Sequence, residues 1–136
     1  NNMDRLLKKW ETAKGLVPAP KFYQEKNKSK FGVIFFGTST YSAEEALDVF
    51  SEKKIQLDAM RLRSFPFSKE VKEFIDTHDR IFLIEQNRDA QMKSLMMIEM
   101  GIESQKIISI LNYDGMPITA DYIVKEMSKG LPQTNN

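Results

Sequence analysis

Four consecutive apolar residues, Ile81-Phe82-Leu83-Ile84, stop abruptly at a polar run, Glu85-Gln86-Asn87-Arg88-Asp89. A short run with no polar position has no solvent face. It reads as a strand covered on both sides, as in a parallel sheet between helical layers. Open α/β sheets place their working surface at the carboxyl ends of their strands. The polar run after Ile84 therefore marks the contact end of the sheet, with Glu85, Gln86, Asn87 and Arg88 as candidate contact residues.

The flanking sequence repeats the pattern. Residues 31–36 form a clear strand, followed by the turn Gly37-Thr38-Ser39-Thr40 and a helix in which Ala43, Ala46, Leu47 and Phe50 recur at helical spacing. Ser42 and Glu45 fit a capping box at its start, and Lys53-Lys54 close it with the sign its dipole favours. A second strand is predicted over 55–62. A loop follows, since the residue before Pro66 avoids the helical region. Ser68 is the predicted N-cap of a helix to Thr77, with Val71, Phe74 and Ile75 inward. The central strand leads into a methionine-rich helix over 90–100 that Gly101 stops. A fourth strand covers 106–111. Thr119 then caps a last helix over 120–129, ended by Gly130-Leu131-Pro132. Upstream, residues 4–14 read as a short helix with Leu6, Leu7 and Trp10 on one side, and 21–24 as a short edge strand. Strand–helix alternation repeated four times implies an α/β fold, a parallel sheet with helices on both faces. The 136 residues suffice for one such core. The expected organisation is an arm or linker over 1–30, a domain over 31–130 and a tail over 131–136.

Composition narrows the chemistry. Cysteine is absent and His78 is the single histidine, so disulfides and thiolate-bound iron–sulfur or zinc centres are excluded within this chain. Little scope is left for a Ser-His-Asp triad. His78, between a helix end and a strand, is expected to be an exposed loop residue. No apolar run approaches the roughly 20 residues of a membrane span. No hydrophobic region follows the basic residues of the N-terminus, as a secretory signal requires. The expected location is cytoplasmic, with no membrane partner. Residues 1–30 carry eight Lys/Arg against three Asp/Glu, and residues 31–136 twelve against sixteen. A basic arm is compatible with nucleic acid, but no aromatic is interleaved with its charges in an RNA-binding pattern. A solvated linker, and no nucleic-acid partner, is the reading adopted.

Three groups are candidate sites. The Gly37–Thr40 turn sits between strand and helix, where a phosphate can lie on a helix N-terminus. It lacks both the G-x-G-x-x-G fingerprint and the P-loop lysine, so the alternative is a tight turn with a hydroxyl cap. Asp58, on the next strand, is a weak candidate ribose ligand. Glu85 is a candidate general base, or else pairs with its neighbours or another domain. Met92, Met96 and Met100 form one stripe, widened by Leu95 and Ile98, with Met97 off it. A helix on a sheet needs one apolar face, and the surplus suits a protein interface, including a homodimer. The candidate interface is Gly37, Thr38, Ser39, Glu85, Gln86, Asn87, Arg88, Met92 and Met96. No catalytic, cofactor-binding or metal residue is assigned.

Several segments in order resemble the α subunits of 2-oxoacid:ferredoxin oxidoreductases. Leu83 to Met92, LIEQNRDAQM, is similar to that family's V-E-x-N-x-G-Q-L segment. Phe36-Gly37-Thr38-Ser39 is similar to its G-S-T turn, and Leu62-Arg63-Ser64-Phe65-Pro66-Phe67 to its L-R-x-L-x-P-F/L loop. Gly115-Met116-Pro117-Ile118-Thr119-Ala120 is similar to its G-x-P-x-T-A segment, and Lys8-Lys9-Trp10 with Pro18-Ala19-Pro20 to its approach to the domain. Thr38-Ser39 inverts the family's order, and Ala90 stands where a glycine is common. The resemblance implies a domain like the C-terminal domain of transketolase. That fold is a three-layer α/β/α sandwich with a five-stranded, mostly parallel sheet in the order 1-3-2-4-5, strand 1 antiparallel. It implies that thiamine diphosphate, magnesium and an iron–sulfur cluster are held by other domains or by a β subunit. The whole enzyme would use ferredoxin and CoA to turn a 2-oxoacid into an acyl-CoA. This chain would then be a non-catalytic interface domain cut from a longer protein. The alternative is a free-standing flavodoxin-like or nucleotide-binding module working through the Gly37–Thr40 turn.

Overall fold

A computed structural model describes residues 19–23, 29–63, 66–85, 90–112 and 117–132. The predicted helix over 4–14 and the run 86–89 lie outside the described residues. In chain order the elements are β1 (Lys21–Tyr23), β2 (Phe31–Phe36), α1 (Thr40–Glu52), β3 (Asp58–Leu62), α2 (Lys69–Asp76), β4 (Arg80–Glu85), α3 (Gln91–Met100), β5 (Ile107–Leu111) and α4 (Ala120–Gly130). Short 3-10 turns, Gly37–Ser39 and Ser104–Lys106, precede α1 and β5. The strands form one sheet in the order β1-β3-β2-β4-β5. β1 runs antiparallel to β3, and every other pairing is parallel.

Alternation along each strand sorts side chains into two cores, because successive residues point to opposite faces. Val33, Phe35, Ala59, Phe82, Ile84 and Ile110 face α1 and α4, meeting Ala43, Ala46, Phe50, Ile123 and Met127. Ile34, Met60, Leu62, Ile81, Leu83 and Ile107 face α2 and α3, meeting Val71, Phe74, Ile75 and Met96. A helical layer thus covers each face, and the apolar run of β4 is buried on both, as its sequence requires. Each fully buried Ile, Leu or Phe there is worth roughly 1.5–3 kcal/mol. Among the described residues no helix is long and apolar enough to cross a membrane.

Several local expectations are corrected. β3 starts at Asp58 rather than at residue 55. The preceding residues close α1 instead: the Ile55 amide donates to Phe50 O and that of Lys54 to Ser51 O, a Schellman closure with Lys54 at a φ of 63°. Ser42 does not cap α1, which already starts at Thr40. Its hydroxyl donates to Ile118 O, 76 residues away, at 2.7 Å, and so ties α1 to the segment that enters α4. Ser68 stands at the N-cap of α2 with extended backbone but makes no capping bond, and among the described residues its buried Oγ has no hydrogen-bond partner. Thr119 does cap α4, accepting from the Tyr122 amide. Gly130 lies inside α4, where a Cβ would come within 2.9 Å of the Phe82 ring. The outer edge of β5 is blunted: Ile107 O accepts from Lys93 Nζ at 2.8 Å, and Leu111 O from the Tyr122 hydroxyl.

The largest correction concerns His78, which is buried at 6% exposure. Its Nδ1 donates to Phe74 O at 2.6 Å, and its Nε2 lies 2.8 Å from Asp58 Oδ2. The same oxygen accepts from the Ser29 amide, while Ser29 Oγ donates to Gln56 O. A polar clasp therefore binds the end of α2 to the start of β3 and the approach to β2. Asp58 sits at the amino end of the sheet, away from Gly37, so it is no ribose ligand for the Gly37 turn. Removing one partner from a buried pair leaves the other unsatisfied. Asp58→Ala and His78→Ala are each expected to lower stability by about 3 kcal/mol in urea titrations, and the double variant by little more than either. Additive losses would contradict the clasp.

Candidate functional site

The sheet has a topological switch point between β2 and β4, since the chain leaves these neighbouring strands toward opposite helical layers. β2 stays paired with β3 as far as Phe36↔Leu62, and β4 with β5 as far as Glu85↔Leu111. The β2–β4 ladder itself ends earlier, at Ile34↔Leu83. The two central strands therefore stop pairing before their last residues, Phe36 and Glu85. This is where open α/β sheets bind ligands, and it brings the Gly37 turn and the Glu85 segment together.

On the β2 side, Gly37 has a φ of 61°, a left-handed conformation that suits glycine. Ser39 and Thr40 are buried, and their hydroxyls are committed to the turn's own backbone. Ser39 Oγ donates to Phe36 O at 2.7 Å, and Thr40 Oγ1 to Gly37 O at 2.8 Å. The hydroxyls fasten the turn without capping the amides of α1. Thr38 is exposed, and Tyr41, on the first turn of α1, is 84% exposed. Tyr41 was missed by sequence reasoning. Its signal is an aromatic lying off the apolar stripe of α1, next to the Gly37 turn.

On the β4 side, parity directs Glu85 toward the α2/α3 layer. Its carboxylate is 1% exposed and meets the start of α3. Oε1 accepts from the Met92 amide at 2.8 Å and Oε2 from the Lys93 amide at 3.3 Å. Ala90, at the N-cap of α3, supplies no side-chain cap, so the preceding strand supplies one. Burial raises the Glu85 pKa above its ordinary 4.5, and the two amides pull it only part of the way back. A carboxyl with a raised pKa in a crevice is what a general base requires. Here, however, both oxygens are engaged by helix amides, and the geometry is that of a cap.

The methionine stripe is likewise absorbed by packing. Met96 is fully buried, and Met92, Leu95 and Met100 pack half-buried around it. As candidate contacts, Ser39 and Met96 are thus interior. The surplus apolar residue that reaches solvent is Ile98, at 78% exposure. Gln86, Asn87 and Arg88 lie outside the described residues. Among the described residues no group of three or more Asp, Glu or His side chains is placed to hold a metal ion.

Fold and site together define a three-layer α/β domain whose switch-point carboxylate is spent on structure. No protein-family model matches the chain, and no curated protein matches it. The fold is shared with solved structures, of which two are described. One is 2-oxoglutarate:ferredoxin oxidoreductase from Magnetococcus marinus, solved with 2-oxoglutarate, coenzyme A and succinyl-CoA bound. The TM-score is 0.77 at 18% identity, over 88% of this chain and 21% of that one. The other is the alpha chain of a probable 2-oxoacid ferredoxin oxidoreductase from Thermoplasma acidophilum. Its TM-score is 0.55 at 23% identity, over 82% of this chain and 95% of that one. This chain thus spans about a fifth of the Magnetococcus chain and nearly the whole of the Thermoplasma chain. These likenesses agree with the fold described above, whose strand order is 1-3-2-4-5 with strand 1 antiparallel.

Two outcomes are expected. Glu85→Ala leaves two helix amides without an acceptor and should lower stability by about 1–2 kcal/mol in urea titrations. The folded state holds the Glu85 proton more tightly than the unfolded chain. Its stabilising contribution is therefore largest below the ordinary glutamate pKa and is lost as pH rises through the raised one. The wild-type advantage over Glu85→Ala should shrink with rising pH across that window. Separately, Ala90 has a φ of 49°, where a Cβ costs roughly 1–2 kcal/mol. Ala90→Gly should raise the urea midpoint, by about 0.5–1 kcal/mol of stability after the entropy cost of glycine.

Proposed function

We propose that this chain is the C-terminal structural and subunit-interface domain of the α subunit of a cytoplasmic, thiamine-diphosphate-dependent 2-oxoacid:ferredoxin oxidoreductase. The observation that carries this reading is a backbone likeness over 88% of the chain to part of one such enzyme, joined to motif-like segments that fall at the ends of this chain's own elements. The Gly37 turn ends β2, the Glu85 segment ends β4, and Thr119 opens α4. In this reading thiamine diphosphate, magnesium and the iron–sulfur cluster belong to other domains or a β subunit, and ferredoxin and CoA serve the whole enzyme. The capping role of Glu85 supports a domain without its own reacting group. The surface around Gly37, Thr38 and Tyr41 is the side offered to the rest of the enzyme.

The rival nucleotide-binding reading loses its donors, because the Ser39 and Thr40 hydroxyls already bind backbone carbonyls. Calorimetry on the purified chain should show no heat with thiamine diphosphate and magnesium or with adenine and flavin nucleotides. Purified gently from its source, the chain should travel with a polypeptide that carries an iron–sulfur absorbance. Viologen reduction dependent on a 2-oxoacid should follow that complex. A micromolar nucleotide response from the lone chain, or 2-oxoacid turnover by it, would overturn the proposal.

A further inference from the structure

A cleft of about 380 Å³ lies between β1, at the edge of the sheet, and one side of α1. Tyr23, Leu47, Ile55 and Leu57 give it an apolar floor, and Glu44, Asp48 and Ser51 a polar wall. The wall is one stripe of α1, because positions 44, 48 and 51 follow the helical repeat. Glu44 and Asp48 stand at an i,i+4 spacing at which like charges repel. Among the described residues neither has an ion-pair partner. The Tyr23 hydroxyl is buried and, among the described residues, makes no hydrogen bond. Among the described residues that line the cleft, every polar group can accept a hydrogen bond and none is a cation. The Lys21 ammonium lies instead over the Tyr23 ring, 4.9 Å from its centroid. Such a lining is complementary to a donor-rich cation on an apolar stem, which is the chemistry of a lysine or arginine side chain.

The backbone beside the cleft is open as well. β1 comes first in the sheet order and pairs with β3. Among the described residues nothing pairs with its other edge. An edge strand with unpaired amides and carbonyls is a template for a further extended segment. A segment added there turns alternate side chains to one face of the sheet, and Tyr23 lies on the face covered by α1. β1 has three residues, so the ladder is short and the side chains in the cleft set the affinity.

We infer that this edge is a docking site for an extended basic segment of a partner polypeptide. The segment adds to β1 and sets Lys or Arg side chains against Glu44 and Asp48, with their stems on Leu47, Ile55 and Leu57. This inference is independent of the enzyme family.

The probe is a blocked octapeptide that alternates lysine and valine, titrated into the isotope-labelled full chain. Binding should be micromolar at low salt and weaken as ionic strength rises. It should move the amide resonances of Lys21–Tyr23 and of residues 44–51 and 55–57. Glu44→Gln with Asp48→Asn should weaken binding about tenfold while the far-UV spectrum is kept. A peptide with glutamate in place of lysine should not bind. Absence of binding by the lysine peptide, or binding indifferent to the Glu44→Gln, Asp48→Asn change, would overturn the inference. Resonance changes confined to another face would do the same. So would equal affinity for a peptide with N-methylated valines, which cannot pair with β1, or for n-butylamine, since the cleft would then take a free amine.

Discussion

The carboxylate of Glu85 decides how the centre of this molecule is used. It stands at the end of β4, a strand buried on both faces, and parity turns it inward, into the α2/α3 layer. A charge placed there needs partners, because burial otherwise penalises it. The first turn of α3 provides them in the Met92 and Lys93 amides, which have no acceptor within the helix. One residue thus ends β4, starts α3 and fixes the register between them. Lys93 extends the tie, donating through its ammonium to the edge strand β5.

The opposite end of the sheet is held by a second polar knot. Asp58 and His78 join the beginning of β3 to the end of α2, and Ser29 draws in the approach to β2. With both ends tied and both faces covered, the sheet is rigid enough to present a surface. Among the described residues, Gly37, Thr38 and Tyr41 are exposed after β2 at the switch point. That arrangement, with polar groups turned inward for structure, would suit the interface role proposed above.

Much of this was legible in the sequence, and the boundary is physical. Period is local, so β4, the inward faces of α1 and α2, the stop at Gly101 and the cap at Thr119 could be read from the sequence alone. Partners distant in sequence leave no local trace. Ser42 looks like a capping residue until Ile118, 76 residues on, claims its hydroxyl. His78 reads as a loop residue because its partner lies 20 residues back, on another strand. The switch point was legible only through the resemblance, which supplied the strand order. Glu85 was correctly singled out, but its role turned on a helix start that carries Ala90, a residue with no capping atom. The mismatch of Ala90 with its left-handed backbone was itself visible as a departure from the glycine common at that position.

Native-state hydrogen exchange at the Met92 and Lys93 amides tests the capping role of Glu85 most directly. Held by the buried carboxylate, these first-turn amides should exchange as slowly as the interior of α3, opening only with the helix. Exchange at the rate of an uncapped helix end, unchanged in Glu85→Ala, would mean that the carboxylate is free for other work and that the domain's chemistry has been misassigned.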